Sequence, residues 1–265
     1  MKRWLTALIL LPPLIIAIGY LPNWCFVLLV VVVAMIALEE FFGLAKSSQI
    51  EVHKFSGHIY SIFLIINFHS QFNKHSFILG LICLAVISFL LLSLQRNYQL
   101  NKILISSGTT LLGIIYISVM LGFLVAIHSK SNGEGPQWIF FLLLVAWMGD
   151  SCAYYTGRLL GKRKLAPRIS PKKTWLGSVG GILGNSLAAI IGQYFFLESP
   201  FTHLLLLGWV LGILGQLGDL VESAMKRSAH VKDSSNLLPG HGGMLDRIDS
   251  ILFGAPVLFY YLCFF

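Results

Sequence analysis

Long apolar runs separated by short polar loops are the feature of this sequence that restricts its fold most. Hydrophobic residues make up 56% of the 265 positions and charged residues 11%, a balance that excludes an ordinary soluble domain. A run of about 20 apolar residues spans a bilayer, and in lipid it must be helical to satisfy its own backbone hydrogen bonds. The first run lacks a small-x-small cleavage site, so we interpret it as a span and not as a signal peptide. The sequence predicts an all-α, polytopic integral membrane protein with about nine transmembrane helices, at residues 4–20, 24–44, 55–69, 76–94, 104–127, 137–157, 175–197, 202–220 and 248–265.

Basic residues are distributed unevenly over the loops between these runs. The formal net charge is +8, and with nine spans 17 of the 19 lysines and arginines fall on one side of the membrane, leaving Lys74 and Lys130 on the other. Because an excess of Lys and Arg marks the cytoplasmic side, we expect a cytoplasmic N-terminus and an external C-terminus. The same distribution accounts for the charge without a nucleic-acid partner, and none is expected.

Residues 218–250 form a polar stretch that combines carboxylates, basic residues and a glycine-rich loop. At about 100° per residue, one face of a helix leaving the preceding apolar run carries two carboxylates, a hydroxyl and an ammonium. These residues are Asp219, Glu222, Ser223 and Lys226. The loop at 239–243 is Pro-Gly-His-Gly-Gly, where glycines permit positive φ and let backbone N–H groups approach an anion closely.

Asp246 and Asp249 follow this loop at the start of the last apolar run. Their spacing of three places both carboxylates on one helix face, which suits the binding of a hard cation. The alternative for either residue alone is structural, because Asp in a first helical turn is favoured by capping and by the helix dipole. The nearby basic pair Lys226-Arg227 and the glycine loop favour a functional site.

In this order, these residues resemble the signature of the phosphatidate cytidylyltransferase (CDP-diacylglycerol synthase) family. The matching positions are Ser223, Lys226-Arg227, Lys232-Asp233, Ser235, Leu238-Pro239, His241-Gly242-Gly243 and Asp246-Arg247-Ile248-Asp249. Residues 150–162 and 166–175 also resemble that family. One position departs from its pattern, since the family usually has Glu where this chain has Leu176.

The resemblance implies an enzyme that transfers the cytidylyl group of CTP to phosphatidic acid, forming CDP-diacylglycerol and pyrophosphate in phospholipid biosynthesis. It implies a multi-pass protein of the cell inner (plasma) membrane with its active site on the cytoplasmic side. We expect one polytopic membrane domain over residues 1–265, with N-terminal helices in 1–136 and catalytic helices and cytoplasmic loops in 137–265. The expected partners are CTP, phosphatidic acid and the lipid bilayer, and a homodimer is left open.

A lipid phosphomonoester is already a nucleophile, so in-line attack on the α-phosphorus needs cations and not a Ser or Cys nucleophile. The expected metal is Mg²⁺, with a second cation as an option, and its ligands are Asp219, Asp246, Asp249 and, as a further candidate, Asp150. The other catalytic candidates are Lys226, Arg227 and Arg247 for the phosphates, and His241 for a phosphate contact or proton transfer. The substrate-binding candidates are Ser170, Lys172, Lys173, Ser223, Lys232, Gly242 and Gly243.

Some assignments keep an alternative. Asp150 lies inside an apolar run, where a carboxylate is costly, and is either a site residue or one end of a helix-to-helix hydrogen bond. Glu39 and Glu40 close an apolar run and are either interfacial charges or residues that approach the site. Glycines at spacings of three and four, at positions 177–184 and 208–218, predict small-residue faces that allow helices to pack closely.

Two other functions compete with the cytidylyltransferase interpretation. A CDP-alcohol phosphotransferase also uses aspartates on membrane helices, but its Asp-Gly-x-x-Ala-Arg opening is not present in this sequence. An ion-coupled transporter would account for Asp150 and Asp219 within apolar runs. It would not account for a glycine loop beside an aspartate pair, and no inverted repeat is evident.

Overall fold

The computed structural model describes residues 2–69, 74–94, 100–130, 133–235, 237 and 242–265. For residues 2–10 and 74–76 it describes the backbone only. Most of these residues are helical, as the sequence predicts. The helices are α1 (Lys2–Gly19), α2 (Asn23–Ser47), α3 (Lys54–His69), α4 (Lys74–Leu92), α5 (Ile103–Gly113), α6 (Met120–His128), α7 (Gly135–Leu159), α8 (Trp175–Phe195), α9 (Phe201–Ser228) and α10 (Leu245–Phe264). A 3₁₀ turn (Leu100–Lys102) precedes α5, and a π-helical segment (Ile114–Val119) joins α5 to α6.

Six helices in the described part of the chain are long and apolar enough to cross a membrane. They are Asn23–Ser47, Leu100–His128, Gly135–Leu159, Trp175–Phe195, Phe201–Ser228 and Leu245–Phe264. Each of the nine predicted runs contains a helix, but the count of nine spans is not confirmed. The helix α3 has 16 residues and is therefore about 24 Å long, short of the roughly 30 Å hydrocarbon core.

The chain divides into two compact units. The first consists of residues 1–129 and 228–247, and the second of residues 130–227 and 248–265. The sequence places a boundary between N-terminal and catalytic helices at 136/137, whereas the first unit also takes in most of the polar stretch after α9.

In the first unit, α2 packs against α3 and α6, and α3 packs against α4. One buried cluster joins α3, α4 and the π-helical segment through Leu64, Ala85, Phe89 and Ile114. The side chains of Phe41 and Phe42 near the end of α2 are also buried. The part of α2 that carries Glu40 is thus fixed within a packed helical core.

In the second unit, α7 and α8 pack together along much of their length. The face of α8 with Gly177, Gly180, Gly181 and Gly184 is buried. A Cβ atom on Gly177 would lie 2.9 Å from the Ala153 carbonyl oxygen of α7. The predicted close packing through glycines is confirmed for this helix pair.

Bulky apolar side chains of α8 point away from that packed face. Val179, Leu183, Leu187 and Ile190 are all exposed and follow one another at helical spacing. Small residues inside and large apolar residues outside reverse the arrangement of a helix in a soluble protein. The exposed surface of α8 therefore suits contact with lipid.

The basic connection between α7 and α8 forms a short hairpin, which the predicted all-α fold does not include. The antiparallel strands β1 (Lys164–Ala166) and β2 (Ser170–Thr174) pair Lys164 with Thr174 and Ala166 with Ser170. The Thr174 hydroxyl then accepts a hydrogen bond from Gly177 N at 3.1 Å, as an N-cap residue does. The hairpin thus presents its cationic side chains from a defined backbone directly before α8.

Candidate active site

Three carboxylates of the second unit converge between α9 and α10. Asp219 and Glu222 lie one turn apart on α9, Asp249 lies on α10, and one oxygen from each falls within 4.8 Å of the others. The backbones of α9 and α10 approach closely here: a Cβ added to Gly218 would lie only 2.5 Å from the Asp249 carbonyl oxygen. Glu222 is fully buried and Asp249 is 8% exposed. This acidic cluster brings together two of the four predicted metal ligands and adds Glu222.

Lysine side chains neutralise part of the charge of the acidic cluster. Lys173 Nζ lies 2.6 Å from Asp219 Oδ2, and Lys226 Nζ lies 2.5 Å from Glu222 Oε2. Lys226 is itself buried, so this pair is shielded from water on both sides. Three carboxylates against two ammonium groups leave a net negative charge, and carboxylate oxygens are the ligands that hard divalent cations prefer. The residues present therefore fit a bound Mg²⁺ ion.

Hydrogen bonds fix the orientation of two of these carboxylates. Ser223 Oγ donates to Asp219 Oδ1 at 3.3 Å, and Ser250 N donates to Asp249 Oδ1 at 2.6 Å. The Ser223 contact leaves Oδ2 of Asp219 for the ion pair with Lys173. The predicted substrate-binding residue Ser223 thus orients an acidic side chain in this structure.

A cavity of about 580 Å³ opens beside the acidic cluster in the second unit. Asp150 and Asp219 lie on its wall, and Gln216 lies there too. Four cationic residues line it as well: Arg158, Lys164, Lys172 and Lys173. The cavity wall therefore combines two carboxylates with four cationic side chains, which suits a phosphate chain with an associated cation.

The predicted ligand Asp246 lies in the first unit, where it joins Ser234 to Gly243 before α10. Its Oδ2 accepts hydrogen bonds from Gly243 N at 2.8 Å, Ser234 N at 3.2 Å and Ser234 Oγ at 3.0 Å. Gly242 has a φ of +80°, which glycine adopts without strain, and a Cβ there would lie 2.8 Å from Asp246 Oδ2. A metal role for Asp246 remains a prediction beside these described contacts.

The other predicted site residues have varied surroundings. Arg227 Nε donates to the Ile169 carbonyl oxygen of the hairpin at 3.2 Å. Lys232 and Arg247 are exposed, whereas Ser170 is partly buried in β2. Gly243 is buried and donates its N–H to Asp246. His241 lies outside the described residues.

Sequence reasoning named two acidic residues, Glu222 and Glu40, without assigning either a role in the site. Glu222 was not among the predicted metal ligands, although its spacing of three from Asp219 places both carboxylates on one helix face and could have indicated it. Glu40 gave no decisive signal, because its partners lie about 200 positions away along the chain.

The fold and the site define an all-α membrane protein with an acidic cluster beside a basic cavity. Comparison with known proteins narrows this class. The model of the cytidylyltransferase family matches residues 1–265. The phosphatidate cytidylyltransferase of Bacillus subtilis is 36% identical over 256 residues, covering 95% of this chain and 92% of the relative. Those of Staphylococcus epidermidis and Staphylococcus aureus are 39% and 36% identical, with about 85% of each sequence covered.

The chain belongs to the cytidylyltransferase family. The resemblance found in the sequence is thereby confirmed, and so is the prediction that the chain is an enzyme.

Proposed function

We propose that this chain transfers the cytidylyl group of CTP to phosphatidic acid, forming CDP-diacylglycerol and pyrophosphate. The names of the relatives support these substrates. The observation that carries the proposal is the acidic cluster of Asp219, Glu222 and Asp249 beside a cavity lined by lysines. A nucleotidyl transfer requires charge neutralisation on a triphosphate, and this arrangement supplies both kinds of charge that the task needs.

In the proposed reaction, a phosphate oxygen of phosphatidic acid attacks the α-phosphorus of CTP. The bond from the α-phosphorus to the bridging oxygen breaks, and pyrophosphate leaves with that oxygen. No protein nucleophile is required, because the lipid phosphate itself forms the new bond. The residues of the chain therefore align the two substrates in line and offset the charge of their phosphates.

We assign the cation to Asp219, Glu222 and Asp249, with Asp150 on the same cavity wall as a further candidate. Asp246, in the first unit, stays a metal ligand predicted from the sequence. A bound Mg²⁺ ion at the acidic cluster would neutralise phosphate charge and polarise the phosphorus centre. Lys172 and Lys173 extend from β2 on the cavity wall and bind phosphate oxygens next to the cation. Lys173 also pairs with Asp219, so it connects the acidic cluster to the phosphate position.

The site lies on the cytoplasmic side in this proposal. The two basic segments, the hairpin and the end of α9, belong to the loops that the Lys/Arg distribution assigns to the cytoplasm. CTP then reaches the cavity from water, and the lipid reaches it from the bilayer. We also retain the proposal of about nine spans, which places both segments on one face.

The direct test is the formation of CDP-diacylglycerol by purified protein from radiolabelled CTP and phosphatidic acid in mixed micelles, with Mg²⁺ varied. We expect product that depends on CTP, phosphatidic acid and Mg²⁺. No product from the wild-type chain with any divalent cation would overturn the proposal.

A matched pair of variants tests the basic wall of the cavity. Lys172 lines the cavity, whereas Lys162 is exposed on the same connection and does not contribute to its wall. Lys172→Gln should raise KM for CTP or phosphatidic acid on the order of tenfold, the scale of one lost charge-assisted hydrogen bond. Lys162→Gln should leave both constants near their wild-type values, and equal effects of the two changes would contradict the assigned wall.

A further inference from the structure

Glu40 is a nearly buried carboxylate in the first unit. It lies in α2 and is 6% exposed, whereas its neighbour Glu39 is exposed and forms an ion pair with Lys54. Burying a carboxylate is costly unless hydrogen-bond donors replace its water. The burial of Glu40 therefore requires protein hydrogen-bond donors, unlike an interfacial charge that water solvates.

Four hydrogen-bond donors surround the Glu40 carboxylate, two for each oxygen. Its Oε1 accepts from Ser235 Oγ at 2.6 Å and from Met244 N at 2.9 Å. Its Oε2 accepts from Ser234 Oγ at 2.9 Å and from Leu245 N at 2.8 Å. All four donors belong to the segment 234–245, so one side chain of α2 connects both ends of that segment.

The backbone contacts of Glu40 lie at the first turn of α10. Leu245 is the first residue of that helix and Met244 precedes it, so their N–H groups have no partner within the helix. A carboxylate at this end is favoured by direct hydrogen bonding and by the helix dipole. Glu40 thus satisfies two N–H groups at the start of α10.

A second carboxylate completes the arrangement. Asp246 accepts from Ser234 and from Gly243 N, so Ser234 Oγ contacts both acidic side chains. A Cβ on Gly243 would lie 2.8 Å from the Glu40 carboxyl carbon. Glycine at this position therefore gives Glu40 access to the backbone, in addition to any role toward substrate.

We infer that Glu40 is a positioning residue for the reaction, acting through the segment 234–245. It holds Ser234, Ser235, Met244 and Leu245 in one arrangement, and thereby fixes Asp246 and Arg247, which carry part of the family signature. Its kinetic consequence rests on the proposed cytidylyl transfer, whereas the ordering of the segment does not.

The chain offers a matched control at the adjacent position. Glu40→Gln keeps the size of the side chain but turns an NH₂ group toward a backbone N–H, which cannot become an acceptor. Glu39→Gln makes the same chemical change on the exposed side of α2. Glu40→Asp keeps the charge but withdraws the carboxylate by one methylene, and so separates charge from reach.

Hydrogen–deuterium exchange measures the ordering without any substrate. In Glu40→Gln and Glu40→Asp, we expect peptides covering residues 242–246 to exchange at least about tenfold faster than in the wild type, the scale of losing hydrogen bonds to a charged group. Glu39→Gln should exchange like the wild type. Unchanged exchange in both Glu40 variants would overturn the inference.

Kinetics then decide whether the ordering serves the reaction. We expect kcat for CDP-diacylglycerol formation, corrected for the folded fraction, to fall about tenfold or more in both Glu40 variants, while Glu39→Gln retains its activity. Faster exchange with unchanged kcat would show a purely structural contact and overturn the positioning role. A wild-type chain inactive with CTP would end the proposed function alone, because exchange would still decide the ordering of the segment.

Discussion

At the scale of single residues, the acidic cluster stores electrostatic repulsion. Two unit charges within 4.8 Å of each other repel by at least about 3 kcal/mol at an effective dielectric constant of about 20. Lys173 and Lys226 each pair with one member of the cluster and so offset part of that repulsion. A protein that retains such a cluster gains affinity for cations at the expense of stability without them.

This trade-off predicts that Asp249→Asn stabilises the protein when divalent cations are absent and removes most of the stabilisation that they provide when present. Asn keeps the oxygen that accepts from Ser250 N but removes one negative charge. Without divalent cations, we expect the melting temperature in detergent to rise by a few degrees, in line with about 1 kcal/mol of relieved repulsion. With Mg²⁺, the wild type should gain stability through binding, and the variant should gain little.

Turnover should fall in the same variant. Losing a principal electrostatic stabiliser costs about 10²-fold in kcat, and we expect that loss for Asp249→Asn. The control is Glu198→Gln, which removes an exposed carboxylate of the same unit and should change neither stability nor turnover. A melting temperature of Asp249→Asn that still rises with Mg²⁺ as in the wild type would refute the metal assignment.

Asp246→Asn separates the two roles of Asp246. Its described contacts are with Ser234 and Gly243, and an Asn oxygen can replace Oδ2 there at a cost of about 1 kcal/mol or less. If Asp246 also binds the metal ion, the substitution removes a ligand charge. The folded variant should then lose about 10²-fold in turnover and require a higher Mg²⁺ concentration for half-maximal activity. Turnover and melting temperature measured together distinguish these cases, and a near-normal Mg²⁺ dependence would leave Asp246 with its role in joining Ser234 to Gly243.

At the scale of elements, glycines determine how closely the helices of the second unit approach. A Cβ on Gly181 of α8 would lie 2.8 Å from Gln216 Nε2, and one on Gly215 of α9 would lie 3.3 Å from Ser250 Cβ. Gln216 lies on the cavity wall, and Ser250 directly follows Asp249 of the acidic cluster. Helix packing and site geometry therefore depend on the same small residues.

Gly181→Leu should consequently lower both stability and activity. Overpacking of this kind costs about 1–3 kcal/mol, which corresponds to a decrease of several degrees in melting temperature. The control is Gly108→Leu in α5, where an added Cβ would meet no atom within 4 Å. Thermal unfolding in detergent compares them, and equal melting temperatures for the two variants would remove the close-packing argument.

At the scale of the whole molecule, the charge distribution predicts the arrangement of the loops across the membrane. The predicted topology places Lys130 outside and Lys164 in the cytoplasm. Single cysteines at these positions, on a background without the four native cysteines, should react with a membrane-impermeant thiol reagent from opposite faces of intact cells and inverted vesicles. Labelling of both from the same face would overturn the count of nine spans.

Much of this architecture is determined by the sequence itself. Membrane solvation requires apolar, internally hydrogen-bonded segments, so each apolar run predicts a helix without knowledge of its neighbours. The face shared by Asp219, Glu222, Ser223 and Lys226 follows equally from local geometry, because residues three and four apart on a helix meet. The family signature identified the chemistry because its fixed polar residues lie within one short segment.

Only the tertiary structure decided how remote segments meet. Glu40 contacts Met244 across 204 positions, and no local periodicity encodes such a pair. The hairpin of β1 and β2 is too short and polar for its pattern to distinguish strands from a loop. The partnership of Glu222 with Asp249 depends on the close approach of α9 to α10 at Gly218. Local physics fixes which residues share a face, whereas packing between elements decides which faces come together.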